Sequence, residues 1–212
     1  KEATITGWFK RSMELLRPLY NVLVKEILRS DYCQADETTT NVINPEKHAT
    51  DREYVWMIRA VTEKLAAFFY EEGSRPGKVI KELTDRHNYK GYLQCDGFAG
   101  YTSAYKPGLG VTLVNCLAHI RRYFEQALEE NRKPASWFLR KIQGLYMIEH
   151  ECDRDGMTYE QRRLERESRS KPLMEEMRTW METEGLRYSQ RTLIGKAVSY
   201  AYTRWGNMMH IL

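Results

Sequence analysis

Tyr89-Lys-Gly-Tyr-Leu-Gln-Cys-Asp-Gly-Phe-Ala-Gly-Tyr101 decides how the rest of the chain is read. A short apolar run, Tyr92 to Cys95, ends in Asp96, and Gly97 and Gly100 then permit a tight turn. A run of this length bounded by glycines reads as a buried strand. A carboxylate just past such a strand sits where open α/β sheets place their ligands. The competing reading is an Asp that caps the helix that follows. A second, similar Asp upstream, in Cys33-Gln-Ala-Asp36-Glu37-Thr38, favours the first reading.

Outward from this stretch, residues 5–29 carry Leu15, Leu16, Leu19, Leu23 and Ile27 at helical spacing, and Pro18 either kinks that helix or starts another. Strands are expected over 31–40, over Glu53–Arg59 and over 65–71, where a short helix is left open. The polar stretch from Asn44-Pro45 to Asp51 reads as a loop. Ser74-Arg-Pro-Gly77 opens a short helix with Val79, Ile80 and Leu83 inward. The strand ending at Asp96 follows, then a β-branched run, Val111–Asn115, and a helix with Leu117, Ile120, Phe124 and Leu128 on one stripe.

From residue 135 everything reads as helix. Phe138, Ile142 and Leu145 form a stripe that Glu149 continues. Thr158-x-x-Gln161 resembles a capping box, and Ser170-Lys-Pro172 reads as the start of a further helix, with Leu173, Met177, Trp180 and Met181 inward. Ile194, Ala197, Ala201, Trp205 and Met208 mark the last one. These Met and aromatic stripes are read as core. The division is a leading helical segment (1–30), a sheet core (31–130) and a helical region (131–212).

Three opening strands form an antiparallel meander, and the later alternation asks for parallel pairing through crossovers. This is the element order of the ribonuclease H-like fold: α/β, with a mixed five-stranded sheet, flanking helices and a helical insertion or C-terminal region. Its first and fourth strands lie side by side, which would bring Asp36 and Asp96 together.

The 212 residues are 42% apolar and 29% charged, the composition of a globular protein. No apolar run approaches the roughly 18 residues of a membrane span, and the N-terminus lacks a signal-peptide layout, so a cytoplasmic location is expected. The net charge is +4, with Arg121-Arg122 and the series Arg162, Arg163, Arg166, Arg169 in the second half. Such clusters suit a polyanion, but the interleaved glutamates suit a solvated face, which charge alone favours. Four cysteines without secreted-domain spacing fit a reducing compartment. Cys116-x-x-His119 and His150-x-Cys152 together hold enough ligands for tetrahedral zinc, against which stands the reading of buried, idle cysteines.

Two strand-end aspartates are natural ligands of Mg²⁺ or Mn²⁺. Metal ions held about 4 Å apart by shared carboxylates activate a water or a 3′-hydroxyl and stabilise the leaving oxygen of a phosphodiester. The scheme needs a third acid. Glu37 would point to the opposite face of its strand. Glu149, a carboxylate on an apolar stripe, is either paired with an arginine, the reading preferred on physical grounds, or functional.

Ala35-Asp-Glu-Thr38, Gly91-Tyr-Leu-Gln-Cys-Asp-Gly-Phe-Ala-Gly-Tyr101, Cys116-Leu-Ala-His-Ile-Arg-Arg-Tyr-Phe124 and Leu145-Tyr-Met-Ile-Glu149 occur in order. Together they resemble the insertion-sequence-66 family of transposases, bacterial DDE enzymes with a ribonuclease H-like core. The resemblance implies that Asp36 and Asp96 are the first two catalytic acids and metal ligands, with Mg²⁺ or Mn²⁺ as cofactor. It implies DNA, both transposon ends and target, as partner, and leaves a homo-oligomer open. Cys116, His119, Arg121 and Arg122 match a family signature, whose expected role is to place DNA phosphates or support the site. The family's third acid is expected after the helical insertion, in an Asn-Asn-x-x-Glu type motif that these residues do not contain. The chain therefore resembles a fragment, with Glu149 as a substitute for the missing acid. Two competing readings are a non-catalytic nucleic-acid-binding relic and a zinc module on Cys116, His119, His150 and Cys152.

Overall fold

The computed structural model of the chain describes residues 2–44, 46, 48–71, 78–106, 108 and 110–212. The chain divides into two compact units, Lys1–Leu113 and Val114–Leu212.

In the first unit, helix α1 (Glu2–Ile27) leads into strands β1 (Tyr32–Asn44), β2 (Ala49–Ala60) and β3 (Leu65–Glu71). Helix α2 (Lys78–Arg86), β4 (Gly91–Cys95), the short helix α3 (Ala99–Ala104) and β5 (Val111–Asn115) follow, the last two residues of β5 belonging to the second unit. The sheet order is β3-β2-β1-β4-β5, with β2 antiparallel to β1 and β3, and β4 parallel to β1. This is the mixed five-stranded sheet of a ribonuclease H-like α/β fold.

Alternation along the strands selects one face for the core. Cys33, Ala35, Trp56, Ile58, Ala60, Ala67, Leu93 and Cys95 are buried, together with Val24, Ile27 and Leu28 of α1, Ile80 of α2 and Tyr101 of α3. Helix α1 packs only through its C-terminal part, where Tyr20 Oη donates to the Phe68 carbonyl (2.9 Å). The expected apolar stripe is thus half used: Leu15, Leu16 and Leu19 are exposed, while Ile27 is fully buried. Pro18 lies inside the continuous helix and starts no new one.

One expectation for this unit changes. The expected loop is shorter than the polar stretch: Asn44 and Ala49–Asp51 are strand and Glu46 and His48 are turn, since β1 and β2 form a long hairpin in which Val42 pairs with Asp51 and Asn44 with Ala49. Strand pairing over a long antiparallel ribbon needs backbone hydrogen bonds more than apolar side chains, so composition hid it. Residues 65–71 are the expected strand, which closes the helical alternative. The expected opening of α2 at Ser74–Gly77 lies outside the described residues.

The second unit is helical: α4 (Leu117–Ala127), α5 (Arg132–Arg154), α6 (Tyr159–Glu165), α7 (Lys171–Thr183) and α8 (Leu193–Met208). Phe124 and Phe138 stack at 3.8 Å between ring centroids, with Trp180 and Trp205 against Phe138. Met174, Met177, Met181, Ile194, Ala197 and Ala201 close the core, so the Met and aromatic stripes pack inward as expected. The Thr158–Gln161 capping box forms with both reciprocal bonds. Ser170-Lys-Pro172 opens α7 as expected, with Ser170 at its N-cap and Pro172 in its first turn. A π-helical turn over Arg166–Ser170 carries α6 directly into α7, with the Lys171 N–H donating to the Arg166 carbonyl. Pro172 has no N–H and crowds the preceding turn, and a widened turn absorbs both demands.

Candidate active site within β1 and at the end of β4

The parallel register of β1 and β4 pairs Tyr32 with Tyr92, Cys33 with Leu93 and Gln34 with Gln94. The pairing ends at Gln34 and Gln94; Asp36 lies two residues further along β1, and Asp96 two residues on, just past the end of β4. Both follow the outward-facing glutamines by one pleat, on the face opposite the buried Cys33, Ala35, Leu93 and Cys95. Asp36 is exposed and Asp96 half-buried.

Backbone groups orient both carboxylates. The Glu37 N–H donates to Asp36 Oδ1 (3.0 Å), and the Phe98 N–H donates to Asp96 Oδ1 (2.9 Å). The second bond shows how much of the capping reading holds. Asp96 closes an Asx-type turn, but the N-cap of α3 is Phe98, without a side-chain cap bond.

Beneath the aspartates lies a polar rung that the sequence reading missed. Gln34 Nε2 donates to Gln94 Oε1 (2.6 Å), and the Tyr32 hydroxyl donates to the same oxygen. Its signal was present twice, as Gln34-Ala-Asp36 and Gln94-Cys-Asp96. A Gln-x-Asp repeat at strand period places both side chains of each copy on one face. Glu37 faces the other way, where its Oε2 accepts a bond from the buried Tyr101 hydroxyl (2.8 Å). Burial and the Glu37 charge push the Tyr101 pKa up, so the phenol stays a donor.

The remaining candidates lie in the second unit. Cys116 is the N-cap of α4, and its half-buried thiol is hydrogen-bonded to His119. Burial raises the thiol pKa, but the His119 bond and the Ala118 and His119 backbone N–H groups outweigh it and leave it below the usual thiol value. Arg121 pairs with Glu125 (2.9 Å), whereas Arg122 is exposed.

Glu149 is bound by two arginines. Its carboxylate accepts from Arg162 (2.7 Å) and from two nitrogens of Arg166 (2.7 and 2.8 Å). Burial raises its pKa, but the bonds and charges of Arg166 and Arg162 override that and hold it below the usual carboxylate value. The rest of the arginine series is likewise neutralised: Arg163 by Glu160, Arg169 by Glu151 and Glu165. This is the solvated, ion-paired face that charge alone favoured.

The zinc reading does not survive. His150 and Cys152 are two residues apart on α5, which turns them to different sides: Cys152 is fully buried and His150 exposed. Among the described residues no group of three or more His, Cys, Asp or Glu side chains is arranged to hold a metal ion. The four cysteines are free thiols, and Cys33, Cys95 and Cys152 are buried.

A family model described as Transposase IS66 family matches residues 1–212. Two uncharacterized proteins of Sinorhizobium fredii (strain NBRC 101917 / NGR234), y4hP and y4jD, are each 26% identical to the chain. The alignments cover 90% and 95% of this chain, and it spans only 37% and 41% of the two relatives. No helix among the described residues is long and apolar enough to cross a membrane.

Proposed function

Because the chain belongs to the Transposase IS66 family, we propose that it is part of the catalytic region of a DNA transposase that hydrolyses and transfers phosphodiester strands at transposon ends in the cytoplasm. The observation that supports this reading is the parallel β1–β4 register, which pairs Gln34 with Gln94, the residues two positions before Asp36 and Asp96.

The pair fits a hard divalent cation. Mg²⁺ is commonly held by one or two carboxylates, with water and substrate phosphates completing its shell. Asp36 and Asp96 supply two such carboxylates, each already oriented by a backbone N–H. Mg²⁺ or Mn²⁺ bound there would supply the Lewis acidity that activates a water or 3′-hydroxyl. The chain's own part is to hold the two carboxylates in register, with the Gln34–Gln94 rung fixing their spacing. Arg122, exposed on α4, is the residue we assign to DNA phosphates. Arg121, engaged by Glu125, and His119, engaged by Cys116, are assigned to supporting α4. The bonds to Arg162 and Arg166 favour a structural role for Glu149 over a place in the catalytic triad.

Mn²⁺ titration followed by electron paramagnetic resonance tests the reading. Wild-type chain should bind the ion, and Asp36→Asn and Asp96→Asn should each weaken binding at least tenfold while melting no lower. Mn²⁺ binding that survives both substitutions would instead support the non-catalytic relic.

A further inference from the structure

On the surface of the helical unit, three side chains from α4 and α8 form a column. The Tyr123 and Tyr200 rings stack with centroids 4.2 Å apart and planes 22° from parallel. The Arg204 guanidinium lies over the Tyr200 ring at 3.8 Å from its centroid. Arg204 is fixed there by bonds from its Nη1 to the Tyr200 carbonyl (3.2 Å) and Thr203 Oγ1 (2.8 Å).

This column is not core. The aromatic core of the unit, around Phe124, Phe138 and Trp205, is buried, whereas Tyr123 is 36% exposed and points away from it. Spacing explains the difference. Phe124 and Ile120 fall on the buried stripe of α4, and Tyr123 is rotated off it by one residue. Near-parallel stacking of two tyrosines on a surface pre-orders a flat π surface at little further entropy cost, because the column already fixes both rings.

The charge around it is distinctive. Arg162, Arg163, Arg166 and Arg169 each face a carboxylate. Arg122, next to Tyr123, and Lys196, one turn before Tyr200 on α8, are exposed and form no ion pair among the described residues. An ordered aromatic face flanked by uncompensated cations is the combination that binds unpaired nucleotides: bases stack on the ring while cations take the phosphates.

We propose that Tyr123, backed by Tyr200 and Arg204, is a stacking platform for an unpaired DNA base, with Arg122 and Lys196 holding the flanking phosphates. The proposal rests on DNA being the partner, and adds that the helical unit takes DNA in single-stranded form. Stacking is indifferent to base identity, so the platform selects strand state and not sequence.

Fluorescence anisotropy with a labelled single-stranded oligonucleotide and its matching duplex tests this on the intact chain. Tyr123→Ala should weaken single-strand binding roughly 5- to 150-fold, the range for losing one stacked base. Duplex binding should change less than about twofold, since duplex contacts are mostly to phosphate. Tyr123→Phe, which keeps the ring, should retain wild-type affinity. Tyr123→Leu, which keeps apolar bulk without the π face, should behave like Ala and stands in if Tyr123→Ala melts early. Arg122→Gln should lower the salt dependence of single-strand binding by about 0.7 in logarithmic slope. The proposal is overturned if Tyr123→Ala and Tyr123→Leu leave single-strand binding intact, if they weaken both DNA forms equally, or if Tyr123→Phe loses as much as Ala. Wild-type chain that binds duplex but not single strand also overturns it, yet leaves DNA as partner; binding to neither form removes both.

Discussion

Replacing Glu149 with Gln separates a structural carboxylate from a catalytic one. In the folded chain Glu149 accepts one bond from Arg162 and two from Arg166, and Arg166 also donates to the Ile211 carbonyl (3.1 Å). One carboxylate thus ties α5 to the π turn and, through Arg166, to the end of the chain. A charged hydrogen bond contributes about 1.5–3 kcal/mol when one partner is lost. The Glu149 side chain is 32% exposed, which softens each bond, and Gln keeps one accepting oxygen. We take about 2 kcal/mol for Glu149→Gln. For a chain of this size that lowers the melting temperature by about 4–8 °C. Circular dichroism melts across a pH series provide the assay. The Glu149 pKa is depressed in the folded state, so its stabilisation is present above the unfolded carboxyl pKa of about 4.3 and lost as pH falls through the lower folded value. The gap between wild type and variant should be full at pH 7, narrow below about pH 4 and close in stronger acid. A gap that persists unchanged in acid, or none at pH 7, refutes the ion-pair account. An unchanged melt with loss of Mn²⁺-dependent DNA cleavage would place Glu149 in the reaction instead.

Two further outcomes follow from neighbouring contacts. Tyr101→Phe removes the donor to Glu37 Oε2 inside the first unit's core and should cost about 1–2 kcal/mol in a thermal melt, leaving Mn²⁺ binding at the opposite face intact; loss of Mn²⁺ binding would show that Glu37 reaches the metal face. The Cys116 thiol, lowered by His119 despite its burial, should be alkylated first at neutral pH, ahead of the buried Cys33, Cys95 and Cys152, as read by mass spectrometry. His119→Ala should move its labelling profile to higher pH, and equal labelling of all four thiols would contradict the assignment.

What the sequence made legible follows from period. The core strands alternate or run apolar, the helices carry stripes, and β3 and β5 fall where their β-branched and aromatic runs put them. What stayed hidden depended on partners. The outer halves of β1 and β2 are polar and pair with each other, so neither run looked like a strand alone. Leu15, Leu16 and Leu19 look like core because spacing cannot say whether anything covers a face. Of the candidate site, Asp96 was legible because it ends a short apolar run, and Asp36 because its flanking residues are similar, although β1 continues past it to Asn44. The Gln34–Gln94 bond was not, because it joins residues 60 positions apart and exists only once the register is set.

That register is what the site depends on, and its determinants lie at the other end of the strands. A slip of one residue between β1 and β4 would turn one aspartate to the core face and leave the other alone. Gly91 resists such a slip. It sits at φ +149°, and a Cβ there would meet the Asp31 carbonyl oxygen at 2.5 Å. Only glycine lets the two strands start this close, and the Tyr92 N–H takes up the same oxygen at 2.8 Å. From that fixed start, Gln34 meets Gln94 two pairs later, and a slipped register would leave two half-buried amides without each other. Gly91 and the glutamine rung therefore hold the register on which the proposed cation-binding pair, Asp36 and Asp96, depends.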